Sequence, residues 1–315
     1  MPFNLTVIIP AYNVECFIEK AIQSVLEQAE VSEIIVVDDG STDTTTQIIK
    51  ELKLKNPTIK LLQHPNKVNK GRSASRNLAI QNATGTYIAF LDADDYFLSN
   101  RFTNDFKVFQ ENESCQGVYN AVGFHFYRGA TELELQTHKL YTVKKQLNPE
   151  ELFENLLYGR CGHFHINGLT VKKSVFQVTG LFNEKLIVAE DTELFWKMAI
   201  KCHLITGIID KAVAVRGVHE KNVFNDKKLY EIYIIKMYQT LLVWCASNQV
   251  VFKTKDELLK RIWIIKQKEN NKLYKDIIYW GKLFLSRPNL LFSILSIKYF
   301  PIIRYRQMLF PFLYT

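Results

Sequence analysis

The segment GTYIAFLDADD (Gly85–Asp95) runs an apolar, β-rich stretch, Thr86 to Leu91, straight into three carboxylates, Asp92, Asp94 and Asp95. A run of that length and composition reads as a buried strand. Asp92 and Asp94, one residue apart at its end, point to the same side, where they repel and raise each other's pKa. A hard divalent cation, Mg2+ or Mn2+, resolves this by taking one or two carboxylates together with phosphate oxygens. Asp95 can instead start a turn or cap the following helix.

Upstream the same grammar repeats. Thr6 to Ile9 is ended by Pro10, EIIVV (Glu33–Val37) by Asp38-Asp39-Gly40, and Ile59 to Leu62 continues the series. Helical faces lie between: Phe17, Ile18, Ala21, Ile22, Val25 and Leu26; then Ile48, Ile49 and Leu52; then Ala74, Leu78, Ala79 and Ala83. Strand–helix alternation at this spacing predicts an α/β fold, a mostly parallel sheet with helices on both faces. Beyond it we expect a helix over Arg101–Gln110, a strand-like stretch over Gly117–Tyr127, a helix from Pro149 to Tyr158, a strand over Gly168–Val171 and a helix over Asp191–Ile200. Gly162-His163-Phe164-His165 reads as a strand, so both histidines are left outside the metal set. A boundary near residue 222 separates a body, 1–222 (a donor half of about 1–100 and an acceptor half of about 101–222), from a helical region, 223–315.

In open sheets of this kind ligands sit outside the carboxyl ends of the strands, and three strand ends bring polar groups there. They are Pro10-Ala11-Tyr12-Asn13 with Glu15, Asp38 to Asp43, and Asp92 to Asp95. Asp39 can accept from a uracil-like N–H or a ribose hydroxyl, with Asp38 in support and Ser41 or Asp43 capping the next helix. Arg72 and Arg76, four apart at a helix start, share a face and suit a diphosphate; an exposed helix face is the other reading of Arg72. Glu190 and Asp191 open an amphipathic helix, where Asp191 either caps or serves as a general base.

These motifs together resemble the family 2 glycosyltransferases, whose fold is the nucleotide-diphospho-sugar transferase (GT-A) fold. The matching segments are VIIPAYNVECFIEKAIQSVLEQ (Val7–Gln28), IIVVDDGSTD (Ile34–Asp43), GRSASRNLAI (Gly71–Ile80), Gly85–Asp95 and AEDTELFWKM (Ala189–Met198). The resemblance covers roughly residues 4–220. It implies an inverting transfer of a sugar from a nucleotide diphosphate, with a lean to UDP. Pro10, Ala11, Tyr12 and Glu15 would line the nucleoside pocket, Asp39 would bind the base, and Arg76, Asp92 and Ala93 would meet the donor. Asp94 would ligate the metal and Asp191 would be the catalytic base, with Arg72, Asp38 and Glu190 nearby. His219, in a loop like the family's late loop over the donor phosphates, would contact phosphate or metal. The acceptor would be a saccharide or lipid-linked saccharide of the cell surface. A polyprenyl-phosphate transferase and a non-catalytic carbohydrate- or nucleotide-binding protein are the alternatives, the latter opposed by the joint presence of Asp92, Asp94 and Asp191.

The bulk properties agree. The chain has 315 residues, 47% hydrophobic and 23% charged, an ordinary folded composition. Its five cysteines form no C-x-x-C pair, which argues against a disulfide framework and fits a reducing, cytoplasmic location. No signal peptide and no spanning apolar run is read. The formal charge of +8 is uneven: residues 226–315 hold 16 Lys/Arg against 6 Asp/Glu. Interleaved with aromatics from Trp263 to Tyr314, that charge suits either a solvated helical subdomain or an anionic membrane surface, the inner face of the cytoplasmic membrane. Nucleic acid is not expected, since no recognised module for it appears.

Overall fold

The computed structural model describes residues 3–220, 222, 226–269, 271–309 and 311–313. The chain divides into two compact units, residues 1–225 and 226–315.

The first unit begins with strict alternation: β1 (Leu5–Ala11), α1 (Ile18–Leu26), β2 (Val31–Asp38), α2 (Thr45–Lys55), β3 (Ile59–Gln63), α3 (Arg72–Asn82) and β4 (Tyr87–Phe90). It continues through β5 (Tyr96–Phe97), α4 (Thr103–Glu111), β6 (Gly117–Tyr119), β7 (Val122–Phe126), α5 (Glu132–Thr137), α6 (Pro149–Tyr158), β8 (Leu169–Lys172), α7 (Val175–Thr179), α8 (Glu190–Lys201), β9 (Leu204–Thr206) and β10 (Ala214–Val218). The main sheet has the order β3-β2-β1-β4-β8-β6-β9. Strands β1 to β4 are mutually parallel, and β8 runs antiparallel to both β4 and β6. The mostly parallel α/β architecture expected from the sequence is present.

Ile8, Ile9, the run Ile34–Val37 and Ile88–Leu91 are fully buried, each of these side chains except that of Ala89 contributing about 1.5–3 kcal/mol. Central parallel strands, covered on both faces, therefore read as continuous apolar runs. Because β1, β2 and β4 are parallel, Ala11, Asp38 and Asp92 follow at one edge of the sheet. Asp39 N donates to Ala11 O (2.8 Å) and Leu91 N to Ile8 O (3.0 Å), fixing the three ends side by side.

Three expectations are corrected. The stretch Gly117–Tyr127 is two strands, with β6 in the main sheet and β7 in a three-stranded sheet of order β5-β10-β7. The break falls at Asn120, which is buried. Its Nδ2 donates to Asp105 Oδ1 (2.9 Å) and Gly168 O (3.0 Å), and its Oδ1 accepts from Ile208 N (2.8 Å). A buried amide must find such partners, and the chain leaves the sheet to reach them. Residues 163–165 are not a strand; His165 precedes a short 3-10 turn, and its Nδ1 accepts from Asn167 N (3.3 Å). The N-cap of α2 is Thr44, while Asp43 Oδ1 accepts from Thr45 N (3.0 Å) and Ser41 Oγ accepts from Asn13 N (3.1 Å).

The second unit is helical: α9 (Lys227–Ser247), α10 (Phe252–Lys268), α11 (Leu273–Leu285), α12 (Pro288–Leu291), α13 (Ile294–Tyr299), α14 (Pro301–Arg304) and α15 (Arg306–Leu309). Pro288 and Pro301 each start a helix, the position where a missing N–H costs nothing. Trp280, Phe284 and Tyr299 are buried, and Trp263 lies 5.5 Å from Trp280, so these aromatics form the unit's own core. Phe310 and Tyr314 lie outside the described residues.

Candidate active site

The turn after β4 holds the acidic cluster. Asp95 N donates to Asp92 O (3.0 Å), closing the turn. The Asp95 carboxylate is buried; it accepts from Gly217 N (2.7 Å) on β10 and from Asn167 Nδ2. Asp95 therefore ties the turn to β10. The approach is close: a Cβ on Gly217 would come within 2.4 Å of Asp94 O.

That contact carries β10 on to His219, whose Nε2 lies 2.9 Å from Asp94 Oδ2. Asn222 Nδ2 donates to the same oxygen (3.1 Å), and the His219 ring stacks on Phe17, 5.0 Å between centroids at 17°. Burial and the neighbouring Asp92 raise the Asp94 carboxyl above its ordinary range. Burial, Asp94 and Asp92 push Asp95 well above it. Burial acts on Asp92 in the same sense but is outweighed by Arg76, and its carboxyl is held low.

Three carboxylates on one turn form a donor set that a divalent cation would relieve. Two groupings can contribute: Asp94 with His219, and Asp92 with Asp95 and His165, whose ligand atoms all lie within 4.8 Å of one another. His165, left outside the metal set on sequence, is pushed down to about 4 by burial and then Arg216, which keeps its imidazole neutral. Carboxylate oxygens with neutral imidazole suit Mn2+, so the residues present fit such an ion.

A second charged layer lies behind the turn. Arg76 is buried on α3; one terminal nitrogen donates to Asp92 Oδ1 (2.6 Å) and the other to Glu190 Oε1 (2.9 Å). Arg72, one turn earlier, donates to Glu190 Oε2 (3.0 Å) and Ile187 O (3.1 Å). Glu190 is buried between the two arginines. Asp191 is half-buried at the start of α8, and its Oδ1 accepts from Thr192 N (2.6 Å) and Thr192 Oγ1 (3.3 Å). Ala189, just before them, sits at φ 63°, a left-handed conformation that costs a non-glycine residue roughly 1–2 kcal/mol.

The nucleoside-side residues are also placed. Tyr12 is exposed, while Ala11 and Ala93 are buried and can offer only backbone. Glu15 Oε2 accepts from Thr44 N (3.0 Å) and Thr44 Oγ1 (2.6 Å), and Asn13 Oδ1 accepts from Thr42 N (2.8 Å), so the loops after β1 and β2 are joined. Asp38 bonds to Ser41 N, Thr46 Oγ1 and Gln63 Nε2. Asp39 accepts from Lys70 N and Gly71 N, both at 2.8 Å, one on each oxygen. These bonds set the start of α3; Oδ1 also lies 3.5 Å from the buried His64 Nε2, while Oδ2 keeps a second lone pair.

Sequence reading missed Asn167, Asn222 and the role of Phe17. Asn167 is buried, and its Oδ1 accepts from Asp92 N (3.1 Å) while its Nδ2 reaches Asp95. Phe17 carried a signal, an apolar residue at the head of α1, yet its partner lies some 200 positions away and no local pattern could name it.

Residues 6–167 match the model of the family described as glycosyl transferase family 2. The minor teichoic acid biosynthesis protein GgaA of Bacillus subtilis is 30% identical over 251 residues, 76% of this chain and 54% of that protein. The chain spans about half the length of the curated relatives of this kind. Among solved structures, S. aureus TarS 1-349 in complex with UDP-GlcNAc superposes with a TM-score of 0.66 at 20% identity, covering 97% of this chain and 87% of that one. The mannosyltransferase PcManGT from Pyrobaculum calidifontis, in complex with GDP-Man and Mn2+, gives 0.55 at 17% identity, covering 98% and 87%. At these identities the superpositions speak for the fold, a GT-A fold as the motifs implied. With more than half of its length matched to the family model, the chain belongs to glycosyltransferase family 2.

Proposed function

We propose that this protein transfers a sugar, with inversion, from a nucleotide diphosphate donor to a hydroxyl of a saccharide acceptor in cell-surface polysaccharide synthesis. The observation that carries the reading is the contrast within one site. Glu190 and Asp92 are paired with arginines, whereas Asp191 has Thr192 as its only hydrogen-bonded partner among the described residues. A half-buried carboxylate in that condition can take the acceptor's proton.

In the reaction the acceptor oxygen forms a bond to the anomeric carbon from the face opposite the diphosphate. The anomeric carbon–oxygen bond breaks, its electron pair leaves with the nucleoside diphosphate, and the acceptor proton passes to Asp191. Arg76 and Arg72 hold Glu190 and thereby fix the first turn of α8 that carries Asp191. Asp94 with His219, and Asp92 with Asp95 and His165, are the residues that would hold Mn2+ or Mg2+. When bound, that ion supplies positive charge to the departing diphosphate. Tyr12, Pro10 and the Asp39 loop would border the nucleoside, and UDP is the donor favoured by the motifs and by the UDP-GlcNAc bound to TarS. The acceptor is read as saccharide, including lipid-linked saccharide, which would place the enzyme at the inner face of the cytoplasmic membrane.

Calorimetric titration of UDP, GDP and their sugars, with Mn2+ and with chelator, tests this on the wild type and on Asp94→Ala. We expect one nucleoside diphosphate to bind, more tightly with metal, and roughly tenfold or more weakly in the variant. Absence of any nucleotide binding in the presence of metal would overturn the reading.

A further inference from the structure

The helical second unit has an outer face of unusual composition. In α11, Tyr274, Ile278 and Leu285 are 55%, 52% and 69% exposed. With Lys275 and Lys282, both exposed, they fall within an arc of about 100° at 3.6 residues per turn. The opposite face, Asp276, Trp280, Leu283 and Phe284, is buried. The usual amphipathic order, apolar inside and charged outside, is therefore replaced by a helix that is apolar on both sides. Its solvent side is flanked by lysines, and its single acid is turned inward.

The feature continues along the chain. Phe292 is 86% exposed, Ile294 65% and Ile297 57%, on and beside the short α12 and α13. From Ile277 to Thr315 there are five Lys/Arg and no Asp or Glu. A solvated surface more often interleaves both signs; this stretch supplies only the positive one, with Lys298 paired to Asp256 of α10 (2.7 Å). Large apolar side chains exposed in this number along one stretch point to a contact surface. Its cationic rim selects an anionic partner, and its large apolar side chains select one with a hydrocarbon layer beneath the charge. No helix among the described residues is long and apolar enough to cross a membrane, and prolines cut this stretch into short helices.

We propose that α11 to α13 form an interfacial anchor that lies on an anionic lipid bilayer, with Tyr274, Ile278, Leu285, Phe292, Ile294 and Ile297 entering the headgroup region and Lys275, Lys282 and Arg287 meeting lipid phosphates. This deepens the lipid-linked acceptor reading above, on which its biological purpose rests, and its test is independent of the donor.

The test is flotation of the full chain with phosphatidylglycerol–phosphatidylcholine vesicles and with pure phosphatidylcholine vesicles. It is run at low and high salt on the wild type, Phe292→Glu/Ile294→Glu and Lys275→Glu/Lys282→Glu. Thermal melts confirm folding, and UDP titration is run on the same samples. We expect the wild type to float with anionic vesicles and weakly with neutral ones, and salt to reduce binding. Each double variant should lose roughly tenfold or more in partitioning, with UDP affinity and melting unchanged. Failure of UDP to bind while flotation holds would count against the donor reading alone. The anchor is overturned if the wild type does not float, or if Phe292→Glu/Ile294→Glu floats equally well. It is also overturned if light scattering finds a wild-type dimer that this variant dissociates while vesicle binding is unchanged, since the face would then belong to a second copy.

Discussion

Asp92 and Glu190 lie against the buried Arg76, while Asp94 and Asp191, each within two residues of them in the chain, hydrogen-bond only to His219, Asn222 and Thr192 among the described residues. The inner region is balanced by the chain itself. Arg76 bridges the strand-end turn to the head of α8, and Arg72 closes Glu190 from the other side. In the outer region no arginine or lysine is ion-paired to Asp94 or Asp191 among the described residues, and the charge of Arg72, which Asp191 also feels, is taken up first by Glu190. Four carboxylates of one chemistry thus acquire different surroundings from their neighbours. On the function proposed above, Glu190 would hold the site's shape, Asp92 would serve both its arginine and a cation, and Asp94 and Asp191 would be left to meet a cation, a proton or a substrate.

The sharpest way to break this comparison is to neutralise one member of each kind. Asp191→Asn should lower turnover by about 10²- to 10⁴-fold, read by release of nucleoside diphosphate, with donor affinity and melting temperature nearly unchanged. Turnover within a few-fold of the wild type would remove Asp191 from the chemistry. On the inner side, Arg76→Met leaves the half-buried Asp92 and the buried Glu190 without their shared partner and should cost about 3–5 kcal/mol in urea denaturation. Arg72→Met, at a side chain 36% exposed, should cost roughly 1 kcal/mol or less. Equal costs for the two arginines would mean that burial does not distinguish them.

The difference between the regions also marks how far the sequence could be read. The strands, the strand-end acids and the first turns of α3 and α8 were legible because each is a local pattern: an apolar run, a turn residue, a charge at a helix start. Arg76 shows the limit. Its place at the head of a helix, beside other polar residues, suited a diphosphate, but only the fold reveals that Asp92 and Glu190, 16 and 114 positions away, occupy both terminal nitrogens. Asn167, His165 and Phe17 were illegible for the same reason, since their roles consist of partners brought together by β8 and β10. The split of Gly117–Tyr127 escaped because Asn120 within an apolar stretch looks like a tolerated polar residue until its three partners are known.

Asp38 extends the comparison to protons. Burial alone would raise its carboxyl, but bonds from Ser41, Thr46 and Gln63 outweigh burial and hold it below the ordinary value, the reverse of Asp94. A carboxyl depressed in the folded state adds stability that is fully present above its unfolded value, about 3.9, and is lost as pH falls through the folded value. Asp38→Asn should therefore cost roughly 1–3 kcal/mol at neutral pH. The gap to the wild type should narrow as denaturation is measured at progressively lower pH below 4; a constant gap would assign the cost to packing.

The smallest effect concerns the junction between the regions. Ala189 sits left-handed at φ 63°, immediately before one carboxylate of the inner kind and one of the outer kind. Glycine adopts that conformation without penalty, so Ala189→Gly removes local strain while adding freedom to the unfolded chain, and the two effects oppose each other. A net gain of up to about 1 kcal/mol is expected, read as a higher urea midpoint at an unchanged slope. Since Arg72 and Arg76 already fix Glu190 from outside the helix, turnover should remain close to wild type. A marked drop in turnover with normal stability would show instead that Asp191 is aimed by the strained residue before it and that the arginines only hold its neighbour.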